Sequence, residues 1–148
     1  MRFTIRSATQ SDQKNIRSLI HRVKIHPFGL NWQQFVVAVS SNGEIIGCGQ
    51  VKKHPNGVRE LASIAVDEAY RNLGIAKAIV EHLTNISQKP IYLTCRSNLE
   101  SFYKQFGFET IPENDMPPAF RQRTTLIKIF FNLTIRKDKL LVMEYRRP

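Results

Sequence analysis

Leu61-Ala62-Ser63-Ile64-Ala65-Val66, followed at a short distance by Arg71-Asn72-Leu73-Gly74-Ile75-Ala76, decides how this chain folds. The first run is short and apolar, as a strand would be, and the second opens a helical repeat of Ile75, Ile79, Leu83 and Ile86. A strand that turns through a glycine into a helix leaves the helix's first N–H groups without intrahelical partners, at the positive end of its dipole. Such a place holds anions. Gly74 lets a ligand approach the backbone, Ala76 keeps the next turn low, and Arg71 adds a fixed positive charge, so a pyrophosphate is the natural guest.

Outward from this centre, the spacing of apolar residues marks the other elements. Phe3 and Ile5 alternate with Arg2, Thr4 and Arg6, a half-buried first strand. Thr9 offers an N-cap with Asp12 three positions on, and Ile16, Leu19, Ile20 and Val23 follow at helical spacing, which predicts a helix over about 10–24. The stretch from His26 to Trp32 mixes Pro27 and Gly29 with aromatic groups and reads as an ordered, packed loop. Residues 35–39 and 44–51 flank Asn42-Gly43, which predicts a hairpin closed by a tight primed turn, and Pro55-Asn56-Gly57 leads into a third antiparallel strand over 58–66. The helix after Gly74 is expected over 73–87, with Lys77 and Glu81 spaced for an exposed ion pair. Pro90 opens the next strand, which a long intervening helix would make parallel to the strand before it. Beyond Phe108, residues 109–113 are a candidate strand, 114–118 a loop, 119–133 either a basic amphipathic helix or a strand, and 139–146 a final strand.

A length of 148 residues suits one domain, and 42% hydrophobic with 23% charged residues is an ordinary globular composition. No apolar run approaches the roughly 20 residues of a membrane span, and Met1 to Ser7 lacks a signal peptide's apolar core, so a cytoplasmic protein without a membrane partner is expected. Cys48 and Cys95 lie in apolar segments and read as buried reduced thiols. The four histidines show no ligand spacing, so no metal is expected. A net charge of +10 would suit a nucleic-acid binder, but no nucleic-acid motif accompanies it, and a polyphosphate ligand accounts for part of the excess.

The arrangement Arg71-x-x-Gly74-x-Ala76 resembles the acyl-CoA-binding signature of the GNAT superfamily of N-acetyltransferases, which reads Arg or Gln, two residues, Gly, one residue, then Gly or Ala. Its flanks are similar to the family's as well. Ala65-Val66-Asp67 leads to Tyr70-Arg71 upstream, and downstream lie Ile91-Tyr92-Leu93-Thr94 and Ser101-Phe102-Tyr103-Lys104-Gln105-Phe106-Gly107-Phe108, the last like the family's closing helix and Gly-Phe strand start. The resemblance spans about residues 58–110 and implies an α+β fold in a single domain over 1–148. That fold would have a mixed central sheet of six to seven strands flanked by about four helices.

It also implies an enzyme that moves an acetyl group from acetyl-CoA to a primary amine of a small molecule, by direct attack in a ternary complex. Arg71, Asn72, Leu73, Gly74, Ile75 and Ala76 would hold the pyrophosphate, Ile64, Ala65 and Val66 would pair with the pantetheine arm and aim an amide at the thioester carbonyl, and Asn98 would touch that arm. Glu60, eleven residues before Arg71, stands where several branches carry a general base, and Tyr103, four before Gly107, where many carry the acid that protonates the thiolate. A glutamate that merely ends a strand facing solvent, and a core tyrosine, are the plainer readings of the same residues. Arg96 and Arg121, with Leu93-Thr94-Cys95-Arg96, Met116-Pro117 and Gly107-Phe108, look somewhat like the amino-acid N-acetyltransferases, in which they would clamp a carboxylate; solvated surface charge is the alternative. Phe28 and Trp32 fall where the family's acceptor pocket is bordered. A protein or peptide N-acetyltransferase, a CoA-binding module without turnover, and a homodimer through the last strand and the basic segment stay open.

Overall fold

The computed structural model of the chain describes residues 1–118 and 139–147. Backbone contacts gather the chain into two compact units, one of Met1–Lys52 with Leu61–Ser87, the other of Lys53–Glu60 with Gln88–Pro148.

In the first unit, β1 (Phe3–Ser7) runs antiparallel to β2 (Phe35–Ser40), which runs antiparallel to β3 (Ile45–Lys53), and β4 (Arg59–Val66) follows β3 in the sheet order. The first helix begins as a 3-10 turn over Gln10–Asp12 and continues as α1 (Gln13–Arg22). Asp12 organises that start: its carboxylate accepts the Thr9 N–H at 2.7 Å and the Thr9 hydroxyl at 3.1 Å, and Arg6 Nη1 lies 2.7 Å away. The hydrogen bonds from the Arg6 guanidinium, helped by those from Thr9, hold the Asp12 carboxyl down at about 2. Ile16, Leu19 and Ile20 of α1 pack with Phe35, Val37, Cys48 and Ala65 as one core.

The Asn42-Gly43 hairpin forms, but not with the tight turn its sequence suggests. Only Gly43 has a positive φ, +84°, while the Gly43 N–H bonds to Ser40 O and the Ser40 N–H to Glu44 O, both at 2.9 Å. The loop is therefore three residues long, with glycine alone in the left-handed position, and the register shifts between Ala38 and Val39 to absorb the extra residue.

After β4 comes α2 (Ile75–Ile86), whose Ile75, Ile79, Val80 and Leu83 are buried. Ile86 belongs to the same stripe by angle, yet as the last helical residue it stays 62% exposed; periodicity gives a side chain's direction, not its cover. Among the described residues Lys77 and Glu81 form no ion pair. Two strand glycines let the helix lie close. A Cβ on Gly49 would stand 2.6 Å from Ile64 Cδ1 and 2.7 Å from Ile79 Cγ2, and one on Gly47 would stand 2.8 Å from Ile75 Cγ2.

In the second unit, β7 (Leu140–Tyr145) lies between β5 (Ile91–Arg96) and β6 (Phe108–Ile111), antiparallel to both. The short α3 (Glu100–Lys104) precedes Gly107, whose φ of +104° turns the chain into β6. That strand ends at Ile111, short of the expected 113, because Pro112 has no N–H to give the ladder. Val58, Tyr92, Ile111, Met116 and Val142 form this unit's own cluster. The expected helix or strand over 119–133, including Arg121, lies outside the described residues. Among those described, seven strands and three α-helices are present, and no helix is long and apolar enough to cross a membrane.

Candidate active site

The turn between β4 and α2 has the shape its sequence suggests. Asn72 at φ +64° and Gly74 at φ +80° bracket Leu73, and Gly74 caps α2, whose first N–H groups have no carbonyl a turn earlier to bond. A Cβ placed on Gly74 would meet nothing within 4 Å, so the ground over this glycine is open to a ligand. Leu73 is 47% exposed, and the Arg71 side chain is half-exposed, with Glu68 at 3.9 Å its one ion-pair partner among the described residues. The segment just before is pinned. Asp67 N–H donates to Ile46 O at 2.9 Å, the Asp67 carboxylate accepts from Ala69 N–H at 3.0 Å and from Arg22 at 3.1 Å, and the Tyr70 hydroxyl reaches Glu44. An exposed arginine beside a fixed turn of backbone donors has the chemistry that suits a polyanion.

Upstream in β4, Ile64 and Val66 are half-buried and Ala65 is buried. Ser63 breaks the strand's regularity with φ +59°, a conformation costly for any residue with a Cβ. Its side chain is tied to the buried Gln50, whose Nε2 donates to Ser63 Oγ at 2.9 Å and to Gly29 O at 3.3 Å, while Gln50 Oε1 has no partner among the described residues. Lys52 is buried as well and donates to Phe28 O at 2.8 Å. These bonds fasten the 26–32 loop to β3. Phe28 is 41% exposed and stacks on His26, and the half-buried Trp32 opens a 3-10 turn whose Gln33 N–H is capped by Asn31. Gln50, Lys52 and Ser63 carry no signal in the sequence, because the pattern marks them as strand positions and says nothing of a polar interior.

The second unit holds both candidate proton-transfer residues. Glu60 is only 1% exposed, so it does not end the strand facing solvent, and His54 Nε2 lies 2.9 Å from its Oε1. Tyr103 is buried against Phe102 and Phe108, with edge-to-face ring contacts at 5.0 and 6.1 Å. Burial, with the nearby Cys95 thiol, pushes the Tyr103 phenol well above its ordinary value. Among the described residues its hydroxyl has no hydrogen-bond partner. Both cysteines are free and buried, and burial pushes each thiol up to about 12, which suits inert core thiols and not an acyl carrier. Arg96 ends β5 half-buried, and Asn98 is exposed in the 3-10 turn Ser97–Leu99 before α3.

Residues 5–108 match the Acetyltransferase (GNAT) family. The chain belongs to that family. The resemblance first read from Arg71, Gly74 and Ala76 is thereby borne out, with the α+β fold and the acetyltransferase class that it implied. No curated protein matches the chain in sequence. Among solved structures, N-acetylglutamate synthase from Neisseria gonorrhoeae, complexed with coenzyme A and N-acetyl-glutamate, superposes with a TM-score of 0.74 at 19% identity over 99% of this chain. The chain spans about a third of that protein's length, 36%. Rv2747 from Mycobacterium tuberculosis, in complex with CoA, superposes at 0.70 with 22% identity over 94% of this chain and 97% of its own. A GNAT acetyltransferase from Staphylococcus aureus Mu50 gives 0.69 at 19% identity, over 98% of this chain and 100% of its own. At such identities the likeness speaks for the fold alone.

Proposed function

We propose that this GNAT chain acts as one domain that transfers an acetyl group from acetyl-CoA to the primary amine of a small molecule, an amino acid among the candidates, by direct attack in a ternary complex. The observation that carries the reading is Glu60, a carboxylate 1% exposed and held by a hydrogen bond at the start of β4. A buried, oriented carboxylate at the family's base position is suited to taking the ammonium proton, which frees the amine's lone pair for the thioester carbonyl. Arg71 and the turn through Gly74 would receive the pyrophosphate, Ile64 to Val66 the pantetheine arm, and Asn98 its far side.

Tyr103 would hydrogen-bond the departing sulfur. Burial raises its phenol, which keeps the hydroxyl protonated and able to donate a hydrogen bond to the sulfur as negative charge develops there. Two solved neighbours are described with amino-acid ligands, the gonococcal synthase with N-acetyl-glutamate in one complex and L-arginine in another, which favours an amino-acid acceptor; Arg96 is the described residue to meet its carboxylate. The test is thiol release from acetyl-CoA by the purified protein against a panel of amino acids, polyamines and basic peptides. Turnover with a small amine, reduced about 10²- to 10⁴-fold in Glu60→Gln, is the expected result. Turnover with peptides alone, or acetyl-CoA binding without turnover on any amine, overturns it.

A further inference from the structure

His54 is, among the described residues, the titratable group in direct contact with the carboxylate on which the proposed function rests, and the chain goes to some length to put it there. Its backbone N–H bonds to Val58 O at 2.9 Å, closing a loop around the 3-10 turn Pro55–Gly57, with Gly57 at φ +76°. Arg59 fastens the same loop by donating to Gly57 O and to Gln88, both at 3.1 Å. The result is an imidazole and a carboxylate six positions apart, each side chain 2% exposed, with Nε2 and Oε1 at 2.9 Å. Two acceptors do not face each other at that distance in a buried site, so one proton lies between them.

We propose that His54 is the positioning residue of the general base. Its Nε2–H donates to Glu60 Oε1 throughout the cycle, stabilising the ionised carboxylate away from water and turning the second oxygen, Oε2, toward the incoming proton. In the step itself, an N–H bond of the ammonium breaks and an O–H bond forms at Oε2, directly or through one water. The nitrogen keeps its electron pair for the thioester carbon. His54 neither gains nor loses a proton; it fixes which oxygen reacts and which stays occupied. This rests on the acetyltransferase reading above, and no composition or periodicity argument reaches it, because a histidine six residues before a glutamate is not a motif.

The experiment has two arms. In the first, His54→Leu removes the donor and His54→Gln restores one at the Nε2 position. The Leu variant should lose about 30-fold in kcat with the acetyl-CoA KM changed less than about threefold, and the Gln variant should recover to within about fivefold of wild type. Equal loss in both folded variants, or no loss in either, overturns the proposal. In the second arm, nitrogen NMR of histidine-labelled protein reads the ring without turnover. A neutral imidazole protonated on Nε2, whose N–H resonance shifts in Glu60→Gln, is expected. A proton on Nδ1 alone, or an imidazolium, overturns it. Failure of the wild-type chain to bind acetyl-CoA would instead count against the acetyltransferase reading, leaving the ring's protonation to be judged by the spectrum.

Discussion

Replacing Gly49 by alanine sets two effects of known size against each other. Alanine has fewer unfolded conformations than glycine, which by itself would stabilise the chain by roughly 0.4–1 kcal/mol. Against it stands the space above Gly49, where the new methyl would sit 2.6 Å from Ile64 Cδ1, 2.7 Å from Ile79 Cγ2 and 3.2 Å from Leu83 Cδ1. Ile64 is half-buried and can swing its terminal methyl, but Ile79 is 0% exposed and its Cγ2 is fixed to the β-branch. Relief therefore requires α2 to lift from β3, an overpacking cost of about 1–3 kcal/mol. The clash should win by about 1–2 kcal/mol, lowering Tm by roughly 3–6 °C in a chain of this size. Urea and thermal melts followed by circular dichroism measure it. The double variant Gly49→Ala, Ile64→Val removes the nearest methyl and should regain part of the loss. Because the N-terminus of α2 is the proposed anion site, the acetyl-CoA Kd should rise in step. A Gly49→Ala protein as stable as wild type, or a double variant no better than the single, would refute the reasoning.

Three further outcomes are expected. The double variant Arg71→Ala, Gly74→Glu, which removes the exposed cation and puts a carboxylate and a strained φ in the open turn, should weaken acetyl-CoA binding in calorimetry by 30-fold or more, on the order of 2 kcal/mol. Tyr103→Phe leaves no described partner unsatisfied, so its melting temperature should move little while kcat falls about tenfold or more; an unchanged kcat would make Tyr103 a core residue only. Asp12, held down at about 2 in the folded chain against about 3.9 unfolded, contributes stability that is present above the unfolded value and lost as pH falls through about 2. Since Arg6 is 45% exposed, solvent screening reduces the contribution to about 1 kcal/mol. Asp12→Asn should cost that much at pH 7 and only a small fraction of it near pH 2, as urea titrations at the two pH values would read.

Much of this was legible in advance, for reasons that can be named. Alternation located the first strand, where one face is half-buried, while apolar runs bounded by Gly-containing turns located those expected over 35–39, 44–51 and 58–66, whose residues are buried at nearly every position. Arg71, Gly74 and Ala76 announced the turn before α2 because only particular residue types tolerate its geometry. Where the structure departs from the local pattern, a local rule meets a non-local fact. Asn42-Gly43 suits a two-residue turn, but the pairing of β2 with β3 called for a third loop residue. Ile86 sits on the right stripe of α2 without anything to cover it.

The sequence by itself determined the family, the strand and helix pattern, and the glycine turn that opens α2, because each of these is written in residues adjacent along the chain. Tertiary structure alone decided the environment of Glu60. Whether that carboxylate faces solvent or lies buried against His54 depends on how the 54–60 loop closes, through the His54 to Val58 backbone bond and the Arg59 contacts. It likewise decided that Gln50 and Lys52 would be interior and that Gly47 and Gly49 would lie under α2. A side chain's partner across space is set by packing, and packing is a property of the whole fold that no local pattern encodes.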